Sequence, residues 1–233
     1  MLLKKWEKLP EDMRVPEVRK YYDILEKKKT SLFFKRLFDI VVSFIMLIIL
    51  SPVFLVLAVM IKIESRGPVF YRQTRVTQYG KRFRIFKFRT MVNDADKMGS
   101  HVTVQNDSRV TKVGNMIRKC RLDEISQLID ILRGTMTFVG TRPEAEKYVE
   151  CYTNEMKATL LLPAGVTSLA SILYKDEGKI LEKSNNVDET YVKEILPEKM
   201  KYNLQSIEKF GFWKDIKIMF MTVAAVLGKD YKI

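Results

Sequence analysis

Asp123 and Glu124 are adjacent carboxylates at the point where Leu122, Ile125, Leu128, Ile129 and Leu132 set up a helical spacing. A helix start exposes unpaired N–H groups and the positive end of the dipole, which favours anions and keeps a carboxylate ionised. Arg118, Lys119 and Arg121 come just before the pair, and Lys87 and Arg89 stand upstream in KFRTM (87–91). An ionised carboxylate among cations suits phosphoryl chemistry. It can attack phosphorus or hold a magnesium ion while the cations neutralise phosphate oxygens. Neighbouring residues on a helix project about 100° apart, so the two acids need not share a role. The bland reading of the same pair is acids decorating a helix N-terminus. Arg142-Pro143-Glu144, after Gly140-Thr141, offers a second helix start beside an arginine, another place for an anion.

Other chemistry is scarce. Asp94-Ala95-Asp96 resembles the paired acid with which nucleotide-sugar glycosyltransferases hold a divalent metal, but it also reads as acids in a polar loop. The chain lacks the strand–helix alternation of those enzymes. His101, the single histidine, reads as a solvated loop residue, and two cysteines exclude a disulfide scaffold or a four-cysteine zinc site. No G-x-x-x-x-G-K-[ST], G-x-G-x-x-G or G-x-S-x-G is present.

The elements that must position the dyad follow from the charge and apolar patterning. In 233 residues, 41 Lys and Arg face 28 Asp and Glu, a formal +13, which calls for an anionic partner: nucleic acid, anionic lipid or a phosphorylated substrate. A 47% hydrophobic content excludes a disordered chain. From Ile40 to Ile61 runs a stretch of 22 uncharged residues, long enough for a bilayer. Ser51-Pro52 interrupts it, and proline breaks or kinks a helix. Both flanks are positive: residues 1–36 hold 11 basic and 6 acidic residues, and residues 62–91 hold 9 and 1. The positive-inside tendency then puts both ends on one side, as in a helical hairpin, with a kinked spanning helix as the alternative.

Residues 1–30 read as helical, charged and peripheral. Pro68–Val76 and Arg82–Arg89 read as a hairpin turning at Thr77–Lys81. A helical pattern starts at Val113 and stops at Gly134; Thr137–Val139 reads as a short strand; a helix is expected from Glu144 to about Leu161; and Pro163–Gly165 breaks the chain. Phe212, Trp213, Ile216, Met219, Phe220, Val223 and Leu227 form an apolar stripe, either interfacial or core-facing.

Taken in order, these motifs resemble the bacterial sugar transferase family, the monotopic phosphoglycosyl transferases. The matching residues are KRLFD (35–39), Ser51-Pro52, Ser65-Arg66-Gly67-Pro68-Val69-Phe70, Gln73 with Arg75, Gly80-Lys81 and KFRTM (87–91). Asp107, Arg109, Thr111, Val113-Gly114, Ile117-Arg118, LDEISQL (122–128) and VGTRPE (139–144) continue the series. The resemblance covers roughly residues 31–175 and the apolar C-terminal segment.

It implies transfer of a phosphosugar from a UDP-sugar to undecaprenyl phosphate, with release of UMP, through a covalent intermediate on Asp123. Glu124 would assist as metal ligand or base, with Mg2+ held by Asp123 and Glu124. Arg118, Lys87, Arg89, Arg142, Pro143, Arg109 and Gln127 would bind phosphate or substrate. Ser51 and Pro52 would hinge a re-entrant membrane helix, with amphipathic helices in the interface. The implied fold is α+β, mainly helical, with one small β-hairpin. The implied divisions are a charged extension over 1–34, the re-entrant hairpin over 35–63 and a catalytic domain over 64–233. Its place is the cytoplasmic face of the bacterial inner membrane, against anionic lipid, without nucleic acid and with homodimerisation left open.

Thr77 stands where many members have Gly, and Ser126 where many have Pro. Pro163-Ala164-Gly165 replaces a direct Pro-Gly pair. These departures bear on the sugar, and the missing long N-terminal transmembrane domain makes the chain a near-minimal form. A non-catalytic membrane-anchored assembly protein remains the alternative class.

Overall fold

The uncharged run folds as two helices. α2 spans Lys29–Ile49 and α3 spans Ser51–Glu64, and they meet at a 60° bend. Pro52 sits in the first turn of α3, where its missing N–H would be unpaired anyway. Ser51 Oγ donates to the Ile48 carbonyl at 2.8 Å, on the last turn of α2. The structure is a computed structural model that describes residues 3–93, 95, 107–174, 184, 186–229 and 231. Asp94, Asp96 and His101 lie outside the described residues. Among the described residues no single helix is long and apolar enough to cross a membrane; α2 and α3 qualify by length and composition only as a bent pair. Both expose large apolar side chains, Ile49 and Leu55 at 67% each.

The charged residues at the head of α2 fasten it to the rest of the chain. Three of its side chains reach the segments around residues 131–139. Lys35, buried, donates to the Val139 carbonyl at 2.7 Å and pairs with Asp215 at 2.6 Å. Arg36 donates to the carbonyls of Ile131 and Leu132 at 2.7 and 2.9 Å, satisfying a helix C-terminus. Asp39 accepts from Thr137 Oγ1 and the Phe138 N–H at 2.7 and 3.2 Å.

Strands β1 (Phe70–Val76) and β2 (Arg82–Phe88) form the expected antiparallel hairpin, with Tyr79 and Gly80 at positive φ in the turn. Thr77 links the end of this hairpin to two other segments. Its Oγ1 donates to the Thr135 carbonyl at 2.6 Å and accepts from the Ala164 N–H at 3.1 Å. Helix α4 spans Lys112–Lys119. The continuous helix expected up to Gly134 is interrupted at Arg121, at φ 55, and restarts as a 3₁₀ turn over Leu122–Gln127 before α5 (Leu128–Arg133). Gly134, at φ 83, ends α5 as expected.

Three further expectations are corrected. Pro163–Gly165 does not simply break the chain: Ala164–Thr167 is a strand, β4, parallel to β3 (Met136–Val139), making a second two-stranded sheet. The two chains approach so closely that a Cβ on Gly165 would lie 2.2 Å from the Gly140 nitrogen, so both glycines are required there. The helix expected over 144–161 also does not form as one piece. Only α6 (Glu146–Val149) is α-helical, and Thr153 Oγ1 turns the chain by accepting from the Met156 N–H before a 3₁₀ stretch over Met156–Leu161.

The third correction concerns residues 1–30, which are not peripheral. In α1 (Pro16–Glu26), Val18, Tyr21, Tyr22 and Leu25 share one face at i, i+3, i+4, i+7 and are all buried. They join a core cluster with Leu160, Leu161, Met200 and Leu204. The C-terminal part comprises α7 (Leu169–Leu173), α8 (Val187–Thr190), a π-helical turn over Tyr191–Ile195, α9 (Leu196–Glu208) and α10 (Phe212–Val226). No residue of α10 is buried, and Trp213 and Phe220 are 79% and 72% exposed.

Candidate active site

The break at Arg121 places Asp123 and Glu124 in the first turn of the segment that follows. Two elements supply the cations facing them. Alternation along the hairpin puts Phe83, Ile85 and Lys87 on one face; Phe83 and Ile85 enter the core and Lys87 reaches the dyad. Lys87 Nζ pairs with Glu124 Oε1 at 3.3 Å. The loop after β3 brings Arg142, whose Nη2 donates to the same Glu124 oxygen. That loop is held by the Glu144 carbonyl, which accepts from the Val76 N–H at 3.1 Å, and by Gly165 N–H donating to the Thr141 carbonyl at 2.8 Å.

The electrostatics separate the two acids. Burial alone would raise the Glu124 carboxyl, but the charges and hydrogen bonds of Arg142 and Lys87 outweigh it and hold the group at about 2. Asp123 moves the other way. Burial and the neighbouring Glu124 charge raise it, against the pull of Lys87 and Arg118. Burial lowers the Lys87 ammonium, with Glu124 opposing. The dyad therefore holds one carboxylate locked in its ionised form beside a more basic one, the pattern that separates roles in a catalytic pair.

The other residues expected at the site fall into two groups. Arg118 Nε donates to Thr90 Oγ1 at 2.9 Å, within electrostatic reach of Asp123. Gln127 and Pro143 line a cleft of about 550 Å³ that opens beside Lys87 and Arg142. Arg89 lies elsewhere: its guanidinium donates to the carbonyls of Arg66 and Ser65 at 2.9 and 2.7 Å, past the end of α3. Arg109 is gripped by Asp107, at 2.9 Å from Nε and 2.6 Å from Nη2, and donates to the Ala95 carbonyl at 3.1 Å.

The cleft also collects residues that motif reading passed over. The Tyr148 and Tyr191 rings pack with centres 4.5 Å apart and planes tilted by 42°, and Tyr191 Oη donates to Glu144 Oε1 at 2.5 Å. Lys199 lies 3.1 Å from that hydroxyl. They come from α6, the π turn and α9, and no local spacing signals their meeting. Arg75 was visible only as part of a motif; its place opposite Phe83 puts it on the cleft face of the hairpin.

No cluster of three or more His, Cys, Asp or Glu able to hold a metal occurs among the described residues. Two adjacent carboxylates still fit magnesium, which is commonly held by one or two carboxylates together with substrate phosphates. Glu124 Oε1 is taken by two cations, so Asp123 is the freer donor.

Two unlike adjacent carboxylates, one of them held by two cations that line a neighbouring cleft, form the candidate site, and the comparisons with known proteins give its family. The family described as bacterial sugar transferase matches residues 30–229, and the chain belongs to that family. It is 38% identical over 194 residues to a UDP-glucose:undecaprenyl-phosphate glucose-1-phosphate transferase of Escherichia coli (strain K12), covering 81% of this chain and 39% of the relative. A UDP-N-acetylgalactosamine-undecaprenyl-phosphate N-acetylgalactosaminephosphotransferase of Aeromonas hydrophila is 32% identical over 198 residues, 84% of this chain and 44% of the relative. A UDP-glucose:undecaprenyl-phosphate glucose-1-phosphate transferase of Caulobacter vibrioides is 32% identical over 199 residues, 84% of this chain and 70% of the relative. The chain thus spans less than half the length of the first two.

Proposed function

We propose that this chain transfers a sugar phosphate from a UDP-sugar to undecaprenyl phosphate and releases UMP, opening the membrane stage of a surface-glycan pathway. The observation that carries the reading is the unlike carboxylate pair: Glu124 held ionised by Lys87 and Arg142, and a more basic Asp123 beside it. Asp123 acts as nucleophile and carries the phosphosugar as an acyl phosphate until the lipid phosphate takes it. Glu124 orients Lys87 and Arg142, and these with Arg118 neutralise phosphate oxygens. Magnesium, when bound through Asp123, Glu124 and the substrate phosphates, supplies further charge neutralisation. The three relatives act on glucose or N-acetylgalactosamine donors by name, so family membership leaves the sugar open.

The bent pair α2–α3 is taken to dip into the cytoplasmic leaflet and return, with α10 along the interface. Its support is the exposed apolar surface of these helices and the basic flanks on both sides of the run. That puts the dyad on the cytoplasmic face, where nucleotide sugars are found.

The test is nucleotide release from protein in nanodiscs with magnesium, undecaprenyl phosphate and a panel of UDP-sugars, alongside Asp123→Asn. Multiple-turnover UMP release that needs the lipid, after at most one equivalent without it, and that falls by about 10⁴-fold or more in Asp123→Asn, is expected for loss of a nucleophile. UDP release would indicate ordinary glycosyl transfer. Full activity in Asp123→Asn would remove the covalent route.

A further inference from the structure

Four cations of the cleft lie beside acids, and Arg72, at its edge, donates to the Arg84 carbonyl. Lys87 and Arg142 share Glu124, Lys199 lies 3.6 Å from Glu144, and Lys147 pairs with Asp188 at 2.8 Å. Arg75 forms no ion pair among the described residues. Its Nε and Nη2 donate to Gln73 Oε1 at 3.2 and 2.8 Å, a neutral amide on the same strand. Pairing of Tyr71 with Lys87, Gln73 with Ile85 and Arg75 with Phe83 sets these side chains on one face of the hairpin, toward the cleft. Burial disfavours the Arg75 charge; Glu144, within electrostatic reach but not in contact, favours it, and Arg142 and Lys87 oppose it. A largely desolvated guanidinium with no carboxylate in contact is costly unless a ligand brings the anion.

We infer that Arg75, its plane fixed by Gln73, binds the phosphate that leaves with the nucleotide. The inference rests on the phosphosugar-transfer reading. In that step an Asp123 oxygen bonds to the sugar-bearing phosphorus while the bond from this phosphorus to the bridging oxygen breaks. The bridging oxygen keeps the electron pair and departs as a terminal oxygen of UMP. Charge therefore grows on the second phosphate, and a cation fixed there stabilises the transition state more than the ground state. Lys87 and Arg142 are held beside the dyad by Glu124, at the sugar-bearing phosphate, which leaves Arg75 for the second phosphate. The lipid phosphate is the other candidate ligand. None of the cleft residues belongs to α2, α3 or α10, which carry most of the exposed apolar surface, so the cleft receives its ligand from water.

The experiment uses the full chain in nanodiscs, with Arg75→Gln and Arg75→Lys beside wild type. Inhibition by UMP and direct UMP binding are measured together with the Michaelis constants for UDP-sugar and undecaprenyl phosphate. Arg75→Gln is expected to weaken UMP binding about tenfold or more and to lower donor kcat/KM by about 10²-fold, as for loss of one charge-stabilising donor. The lipid Michaelis constant should stay within about twofold. Arg75→Lys should recover part of the loss, since it keeps the charge but not the planar fork. If Arg75→Gln does not fold, weakened UMP binding in Arg75→Lys carries the test. Unchanged UMP binding, or an effect confined to the lipid, overturns the inference while leaving transfer intact. A wild-type protein that neither releases nor binds UMP overturns the transfer reading, and the inference with it.

Discussion

Arg109 donates to both oxygens of Asp107, and Asp107 also accepts from the Arg109 backbone N–H at 3.0 Å. These hydrogen bonds hold the Asp107 carboxyl at about 2. The folded value lies below the unfolded one of about 3.9, so the stabilisation is complete above about pH 4 and is lost as pH falls toward 2. Asp107→Asn should therefore melt below wild type at pH 7, with the gap closing between about pH 4 and pH 2. Thermal unfolding across that range checks this, and a gap that stays constant to pH 2 contradicts it. The contrast with Arg75 is instructive. Two arginines of one motif series differ because one has a carboxylate two residues away and the other has only an amide.

At the scale of the element, Arg89 reads differently in the structure than in its motif. Alternation along β2 sends Lys87 and Arg89 the same way, but the strand ends at Phe88 and Arg89 is drawn to the carbonyls of Ser65 and Arg66 just past α3. It is 5% exposed, and Nη2 also reaches Ser65 Oγ at 2.9 Å. Hydrogen bonds to a charged donor contribute about 1.5–3 kcal/mol. Arg89→Gln should thus cost at least that much in denaturant unfolding while the donor Michaelis constant of the folded protein stays within about threefold. A raised Michaelis constant without loss of stability would instead make Arg89 a phosphate ligand. The same logic of helix ends governs the dyad, because the left-handed turn at Arg121 is what gives Asp123 and Glu124 a fresh helix start.

Across the whole molecule, the N-terminal segment and the C-terminal helices close one core over the back of the cleft. Leu25 is fully buried against residues from 158–162 and 195–210. Leu25→Ala should cost about 2–5 kcal/mol, the range for emptying a leucine site in a packed core. Chemical denaturation in detergent measures it, and a cost below about 1 kcal/mol would return the segment to the peripheral role its charge suggests. The Lys35–Asp215 pair similarly ties the head of α2 to α10, so the two apolar elements are held in one arrangement by a buried charge pair.

Features that depend on local order are legible in the residues alone. Ser51-Pro52 predicts the break in the apolar run, alternation with Gly80 predicts the hairpin, and the ordered motifs identify the family. Asp123 and Glu124 are legible because a dyad is contiguous and its helix start is a local event. Which cations serve it emerges from the folded chain. Lys87 comes from a strand 37 positions earlier and Arg142 from a loop 18 positions later, and nothing local distinguishes them from Arg89 or Arg109. The strand at Ala164–Thr167 and the burial of α1 were hidden for the same reason. Each exists because a distant partner covers one face, and a pairing across the chain leaves little trace in the residues on one side of it.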